Sequence, residues 1–221
     1  MLALVIDTSS AAVTTGVVEV SRDVGAGTQV LAERVIIDAR AHGELLAPLI
    51  RTVLDQAAVA LGDLSAVIAG VGPGPFTGLR IGLVTAAAIC DAVGLPAYPV
   101  CSLDAIAIGA GQDGPLLVAG DARRREVYWA RYLDSRREQY PAVTRPTDIS
   151  VSVVAMAGAG ARLYEEVFGL PLLDCDYPPV AGLAVAAADR IRSGADTQTL
   201  TPMYLRRPDA VPATQLKPVS P

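Results

Sequence analysis

The amino-acid sequence predicts an α/β fold built on a mixed sheet that is flanked by helices. Three strand-like runs stand before any helical run, and strand-like and helical runs alternate afterwards, with no internal repeat of fixed period. Short links between consecutive strands favour antiparallel pairing, whereas a helix between two strands favours parallel pairing. A sheet that contains both kinds of pairing is therefore expected.

The opening of the chain has the composition of three consecutive strands. Residues 2–6 are continuously apolar, residues 12–20 follow after a short turn, and residues 30–37 come after turn-forming residues at 23–28. Apolar runs of this length, bounded by turn residues, are typical of strands. We expect these three strands to form an antiparallel meander.

A change in hydrophobic period marks the first helix, at residues 41–61. Apolar side chains recur there at three- and four-residue steps, the stripe of an amphipathic helix, along Leu45, Leu49, Val53 and Ala57. One side of this helix should cover the sheet. The other side, if exposed, would form a partner interface. The alternative, a helix buried on both sides within this chain, stays open.

Strands and helices alternate after this helix. The expected strands are residues 64–71 and 95–100, and the expected helices are residues 79–93 and 102–110. Serine is a preferred N-cap residue, so Ser102 is expected to cap the second of these helices.

A glycine-rich break at residues 109–114 marks the expected boundary between two lobes. The N-terminal lobe would comprise residues 1–108, and a smaller C-terminal lobe would comprise residues 109–221. The last residues, 208–221, are rich in proline and predict a flexible tail. The elements expected in the second lobe are strands at 115–119, 126–133 and 151–157 and helices at 158–168 and 183–193.

The composition excludes several classes of protein. The net charge of −5 and the lack of a basic stripe argue against a main nucleic-acid surface. Three cysteines without C-x-x-C spacing argue against a disulfide framework or a cysteine zinc site. We see no export signal, and apolar runs interrupted by glycine and proline should be too short to span a bilayer. A cytoplasmic protein without membrane contact is expected.

Three loops contain residues that could contact phosphate. The first follows the first strand, the second is glycine-rich and opens directly into a helix, and the third closes a strand of the second lobe. Backbone amides at a helix N-terminus attract anions. The second loop is not a Walker loop, because no lysine follows its glycines. The candidates, including an arginine at the helix start, are Asp7, Thr8, Ser9, Gly72, Gly74, Thr77, Gly78, Arg80 and Asp121.

Two conspicuous side chains have ordinary structural interpretations. His42 is the single histidine, so it cannot form a metal site of the usual kind, and we expect it at a helix end. Trp129 lies on a predicted strand, where packing in the core is favoured over stacking on a base. No catalytic residue is assigned.

Four blocks of the sequence resemble the TsaB (YeaZ) family. They are residues 3–9, 72–82, 121–130 and 202–206, and they occur in the family's order. The resemblance implies an actin-like (ASKHA, ribonuclease H-like) fold with two lobes. It also implies a scaffold role in threonylcarbamoylation of the adenosine beside the anticodon of tRNA. In that system a paralogue, TsaD, carries out the transfer, and TsaE is an ATP-binding component.

Two positions depart from the patterns of catalytic relatives. TsaD carries a metal-binding H-x-x-x-H pair where this chain has Ser102, a poor metal ligand, and Ile106, which cannot bind a metal. Actin-like ATPases commonly have glycine two residues after the aspartate of the second phosphate loop, and here Arg123 follows Asp121. The resemblance therefore implies a subunit with no metal and no cofactor of its own. ATP or ADP, if bound, would lie at the partner interface.

The expected partners follow from the same resemblance. TsaD would bind directly, TsaE through the complex and tRNA indirectly, and the chain could form a homodimer when TsaD is absent. The main alternative is a small ASKHA-type ATPase or phosphotransferase that uses Asp7 or Asp121 with magnesium. The three phosphate-type loops favour it, whereas Arg123 and the short chain do not. A protease is least favoured, because that label rests on the missing histidines.

Overall fold

The computed structural model describes residues 1–206, and two five-stranded sheets form its framework. The predicted proline-rich tail, residues 208–221, lies outside the described residues. The first sheet has the strand order β3-β2-β1-β4-β5, with β1 Leu2–Asp7, β2 Ala12–Val20, β3 Thr28–Ile37, β4 Ala66–Gly70 and β5 Ala97–Val100.

The first sheet is mixed, as the sequence predicts. The meander β1-β2-β3 is antiparallel, whereas β4 pairs parallel to β1 and β5 parallel to β4. Strand β1 is central and buried on both faces, which explains its continuous apolar run. Because side chains alternate across a strand, Ala3 and Val5 contribute to one core while Leu4 and Ile6 contribute to the other.

Helices cover both faces of the first sheet. One face packs against α1, His42–Ala57, and α2, Phe76–Val93. The other face packs against α3, Ser102–Ala110, and α6, Val180–Arg192. Helix α6 belongs to the predicted second lobe, yet its Val180, Leu183 and Ala187 lie in the core of the first sheet. The boundary at residue 109 stays a prediction, and the chain returns across it at α6.

The second sheet has the order β10-β6-β7-β8, and β9 also pairs with β7. Strand β10 is parallel to β6, and the other pairs are antiparallel. Helix α3 packs against one face of this sheet, and two short helices pack against the other. The elements are β6 Pro115–Asp121, β7 Val127–Leu133, β8 Arg136–Arg137, β9 Ala142–Thr144, β10 Ala155–Ala157, α4 Ala159–Leu163 and α5 Glu165–Phe168.

Several predicted boundaries are wrong. The first helix does not reach residue 61, because Ala58 takes a left-handed conformation with a φ of 52°. The helix expected at residues 158–168 is interrupted at Tyr164 and forms α4 and α5. Strands β8 and β9 were not expected, because two or three residues carry too little periodic signal.

Candidate functional site

A cleft of about 330 Å³ lies where the three phosphate-type loops meet. Its walls come from the β1–β2 turn, the start of α1, the 72–78 loop, the start of α3 and the β6–β7 turn. Of the predicted site residues, Ser9, Thr77, Gly78 and Asp121 line the cleft. Ligands in open α/β sheets bind beyond the carboxyl ends of the strands, and this cleft occupies that position.

Asp7 lies at the end of β1, beneath the cleft, and is 1% exposed. Its Oδ1 accepts hydrogen bonds from the amide and the hydroxyl of Ser9, at 2.8 and 2.7 Å. Its Oδ2 accepts a hydrogen bond of 2.5 Å from the hydroxyl of Ser102. Burial raises the pKa of Asp7 above its ordinary value of 3.8, and the bonds from Ser102 and Ser9 partly oppose this shift.

The carboxylate of Asp7 is also closed off by backbone. A Cβ at Gly70 would lie 1.7 Å from Oδ2 of Asp7, so β4 can approach only because this residue is glycine. Both carboxylate oxygens thus have protein partners, and neighbouring chain fills the space beside them. Asp7 therefore makes hydrogen bonds within the protein and does not line the cleft.

Thr8, like Asp7, makes its side-chain hydrogen bonds within the protein. Its hydroxyl donates to the carbonyl of Gly78 at 2.7 Å and accepts from the amide of Gly82 at 3.0 Å. These two bonds tie the end of β1 to the first two turns of α2. The glycine-rich loop also packs closely against the β1–β2 turn, because a Cβ at Gly74 would lie 1.9 Å from the carbonyl oxygen of Ser9. The hydroxyl of Thr8 is thus bonded within the protein, and the phosphate contacts expected of Thr8 and Gly74 stay predictions.

Ser102 does not cap α3, and that prediction is wrong. The N-cap position is Cys101, and Ser102 is the first residue of the helix. The hydroxyl of Ser102 instead bonds to Asp7 and accepts from the amide of Gly72 at 3.1 Å. Its own amide donates to the carbonyl of Gly72 at 2.8 Å. Ser102 therefore joins α3, the glycine-rich loop and β1, while Ile106 packs in the core.

Arg80 points away from the cleft. Its guanidinium lies 4.4 Å from the centre of the Phe76 ring, and that ring stacks on Tyr204 with centres 5.1 Å apart. The structure thus places Arg80 outside the cleft, against Phe76 of the glycine-rich loop. Its surroundings are an exposed aromatic pair on the outer side of α2.

The β6–β7 turn contains a strained run of arginines. Arg123, Arg124 and Arg125 have φ angles of 60°, 55° and 63°, a left-handed conformation that costs non-glycine residues about 1–2 kcal/mol each. Asp121 accepts a bond of 2.8 Å from the amide of Arg123, and their side chains form an ion pair at 3.4 Å. The backbone at Arg123 thus keeps the conformation that glycine adopts without penalty.

Other cleft residues carried no signal in the sequence. Arg40, Asp176 and Tyr177 line the cleft but come from loops distant in the chain. Both carboxylate oxygens of Asp176 accept hydrogen bonds from Nε of Arg162, Oδ1 at 2.8 Å and Oδ2 at 2.6 Å. His42 begins α1, as expected at a helix end, and its Nε2 lies 2.9 Å from the carbonyl oxygen of Ser10.

Among residues 1–206, no group of three His, Cys, Asp or Glu side chains is close enough together to hold a metal ion.

The predicted interface stripe is largely used within the chain itself. Leu49 and Val53 are buried in the core beneath α1, and Leu45 and Ala57 pack against that core. The side chains that the sequence assigned to a partner therefore cover the first sheet. The alternative that the sequence left open, a stripe buried within the chain, describes these residues better.

Helix α2 is the more exposed apolar helix. It is long and apolar enough, by length and composition, to cross a membrane, contrary to our expectation that the apolar runs are too short. Helices of soluble proteins also pass this test. Only 28% of α2 is buried, and Val84 is 66% exposed beside exposed Ala87 and Ala88.

Sequence comparisons identify relatives over most of the chain. The family model of TsaD, tRNA N6-adenosine threonylcarbamoyltransferase, matches residues 29–203. An uncharacterised Mycobacterium tuberculosis (strain H37Rv) protein is 49% identical over 95% of this chain and 93% of its own length. An uncharacterised Mycobacterium leprae protein is 48% identical over 96% of this chain, which spans 57% of that protein. The Escherichia coli tRNA threonylcarbamoyladenosine biosynthesis protein TsaB is 32% identical over 54% of this chain and 55% of its own length.

Solved structures match the fold. YeaZ from Pseudomonas aeruginosa superposes with a TM-score of 0.75 and 26% identity, covering 92% of this chain and all of that one. A second Pseudomonas aeruginosa structure, described as similar to peptidase YeaZ, gives a TM-score of 0.77 and 28% identity over 93% of this chain and 99% of its own.

Proposed function

This chain belongs to the TsaB (YeaZ) family, and from that premise we propose that it is a non-catalytic scaffold subunit in threonylcarbamoylation of the adenosine beside the anticodon of tRNA. In this role it binds and supports the transferase TsaD in the cytoplasm. TsaE joins through the complex, and tRNA contacts this chain indirectly. The net charge of −5 supports the last point, because proteins that bind RNA directly usually present a basic surface.

The observation that carries this proposal is the hydrogen bond between Ser102 and Asp7. Ser102 stands where TsaD has the first residue of its metal-binding histidine pair. Its hydroxyl donates a hydrogen bond to Asp7 and accepts one from the amide of Gly72, both inside the protein. Asp7 is one of the two carboxylates, with Asp121, that an ATPase or phosphotransferase of this fold could use with magnesium. Both oxygens of Asp7 accept hydrogen bonds within the protein and 1% of its surface is exposed, which argues against that role for Asp7.

We propose that a nucleotide does not bind in the cleft of this chain alone. The hydroxyls of Thr8 and Ser9 donate to groups within the protein, so they are not available as donors to phosphate. Asp121 and Asp176 add negative charge to the cleft wall. We therefore propose that the isolated subunit holds no cofactor and that any ATP or ADP binds at the junction with the partner.

Helix α2 is the surface that we propose for TsaD. A large apolar side chain such as Val84, 66% exposed among exposed alanines, is what a protein interface covers. The stripe of Leu45, Leu49, Val53 and Ala57 suits this role less well, because Leu49 and Val53 are buried and Leu45 and Ala57 pack, partly buried, against the core of the first sheet. In the absence of TsaD the chain would form a homodimer.

Reconstituted tRNA modification tests the proposal. TsaD, TsaE, tRNA and a threonylcarbamoyl donor are combined with and without this chain, and the chain is also assayed without TsaD. We expect modification only when both this chain and TsaD are present. Undiminished modification without this chain would remove the assigned role. Transfer by this chain without TsaD, or ATP turnover by it, would support the ATPase or phosphotransferase alternative instead.

A further inference from the structure

A basic groove of about 420 Å³ lies beside the second sheet and shares no lining residue with the cleft. Three segments line it. The β6–β7 turn contributes Arg124 and Arg125, the segment that follows β9 contributes Arg145, and the corner between α4 and α5 contributes Tyr164 and Val167. Val167 is 50% exposed. The groove therefore combines guanidinium groups with an aromatic and an aliphatic side chain.

Two arginines of the groove are available to a ligand. Among residues 1–206, the guanidinium groups of Arg125 and Arg145 form no hydrogen bond and no ion pair, and both side chains are exposed. Glu126 follows Arg125 in the chain but pairs with Arg206 instead. Guanidinium groups bind carboxylates and phosphates through two parallel hydrogen bonds, so an anionic ligand fits these two side chains.

The turn that carries the arginines at 123–125 is already ordered. All three residues take a left-handed conformation, which persists only where the surrounding structure fixes it. The amide of Ala122 donates to the carbonyl of Glu126, and the amide of Glu126 donates to the carbonyl of Arg123, both at 3.0 Å. Arg206 also donates to the carbonyl of Ala122, at 3.1 Å. A turn that is fixed in advance lowers the entropy cost of binding.

The charges around the groove favour a protein segment over a nucleic acid. Asp148, Glu165 and Glu166 adjoin groove residues in the sequence, and all three are exposed. Phosphates that extend past the groove would meet these carboxylates, on a chain whose net charge is −5. The exposed Val167 is better covered by an apolar side chain than by a phosphate. A protein segment meets both requirements, because it can carry acidic, apolar and basic residues together.

We propose that the groove binds an extended segment of another protein, with an apolar residue between two acidic ones and a basic residue at each end. Alternate residues of an extended segment face the same side, so the acidic and apolar residues stand two apart. The two carboxylates pair with Arg125 and Arg145, and the apolar side chain covers Val167. The groove is separate from α2, and the inference therefore does not rest on the proposed binding of TsaD.

Fluorescence anisotropy of labelled peptides mixed with the full chain tests the inference. The probe is Lys-Glu-Ser-Leu-Ser-Glu-Lys, and the matched neutral peptide has Gln in place of both Glu residues. The native chain should bind the acidic probe about tenfold more tightly than the neutral peptide. Rising salt should weaken this binding, because exposed ion pairs are screened. Equal affinity for the two peptides would overturn the proposal.

Charge reversal locates the site. Arg125→Glu and Arg145→Glu should each weaken the binding of the acidic probe by about tenfold or more, because each sets like charges together. Arg136→Glu, at an exposed arginine of β8, is the matched control and should bind as the native chain does. Circular dichroism verifies that the variants fold. Native affinity in both groove variants, or an equal loss in the control, would contradict the assignment.

An exchange of charges separates ion pairing from a folding defect. The double variant, Arg125→Glu with Arg145→Glu, should bind the peptide Glu-Lys-Ser-Leu-Ser-Lys-Glu, which the native chain should not bind. Binding gained in this way cannot arise from a damaged fold. A double variant that binds neither peptide would count against the proposal.

The apolar contact is tested at Val167. Val167→Glu places a carboxylate in the groove and should weaken the acidic probe. Val154→Glu, at a similar 53% exposed position of the chain, is the matched control and should not. Unchanged binding by Val167→Glu would remove the apolar contact from the proposal and overturn the pattern of the segment.

A short oligouridylate tests the other class of macromolecule. The native chain should bind this RNA more weakly than the acidic probe. Tighter binding of the RNA, lost in Arg125→Glu, would overturn the proposal and assign the groove to nucleic acid.

Discussion

The hydroxyl of Ser102 lies 2.5 Å from Oδ2 of Asp7, and this bond joins the start of α3 to the end of β1 across 95 residues of sequence. Asp7 and Ser102 thus bond to each other and close the inner wall of the cleft. The contact has a structural role, because it ties two distant segments of the chain together.

Removing this contact should destabilise the fold. In Ser102→Ala the buried carboxylate of Asp7 loses one donor and the amide of Gly72 loses its acceptor. Leaving buried polar groups without partners costs about 1–3 kcal/mol, and we expect the free energy of unfolding to fall by that amount in urea titrations. The exposed Ser65→Ala should change it by less than about 0.5 kcal/mol. Equal stability of the two variants would refute the structural role of Ser102.

Asp7 should make stability depend on pH. Burial raises its pKa in the folded chain above the ordinary 3.8, so above that pH the folded chain binds more protons than the unfolded one. The free energy of unfolding then falls as pH rises through the window between the two pKa values. Asp7→Asn carries no such proton.

The measurement compares the two chains by urea titration at several pH values. The native chain should lose stability relative to Asp7→Asn as pH rises from below 3.8. Asp55→Asn, at an exposed position on α1, controls for the loss of one negative charge. A stability difference that grows in favour of the native chain with rising pH would contradict the stated sign.

Glycine in place of Arg123 should stabilise the chain. Its φ of 60° costs an arginine about 1–2 kcal/mol, and the exposed ion pair with Asp121 that would be lost contributes little. We expect Arg123→Gly to raise the free energy of unfolding by about 1 kcal/mol. Arg136→Gly, in the extended strand β8, should lower it instead, because glycine weakens strands.

The same variant tests the cleft. Calorimetry with ATP and magnesium should detect no binding to Arg123→Gly or to the native chain, because Asp7, Thr8 and Ser9 remain bonded within the protein. Binding gained by Arg123→Gly would show that the arginine alone blocks the site.

Exposed Val84 should matter for the partner and not for the fold. Val84→Glu places a charge in the apolar surface proposed for TsaD, so co-purification with TsaD should be lost while the melting temperature stays close to that of the native chain. Val185→Glu, similarly exposed on α6, should co-purify normally. If both variants bind TsaD equally well, the interface lies elsewhere than on α2.

The spacing of apolar residues along the sequence predicts most strands and helices of this protein. The apolar run of β1 and the three- and four-residue stripe of α1 each reflect contacts with neighbouring elements, so they are readable from a few consecutive residues. The mixed sheet follows from the same signals. Where helices end is less readable, because a single residue such as Ala58 or Tyr164 can leave the helical conformation.

The site is harder to predict, because its contacts join distant parts of the chain. A serine before an apolar run has the same local pattern whether it caps the helix or begins it, so Ser102 was assigned to the wrong position. A helical stripe identifies an apolar face, but not what covers it, so Leu49 and Val53 were assigned to a partner. The positions of Asp7 and Arg80 relative to the cleft depend on packing that no spacing encodes.

The central claim is that Asp7 holds the structure together and takes no part in the reaction. The most direct test adds Asp7→Asn to the reconstituted modification of tRNA by TsaD, at a temperature where circular dichroism shows the variant folded. We predict that it supports modification at the native rate. A folded Asp7→Asn chain that binds TsaD and yet abolishes modification would contradict the account.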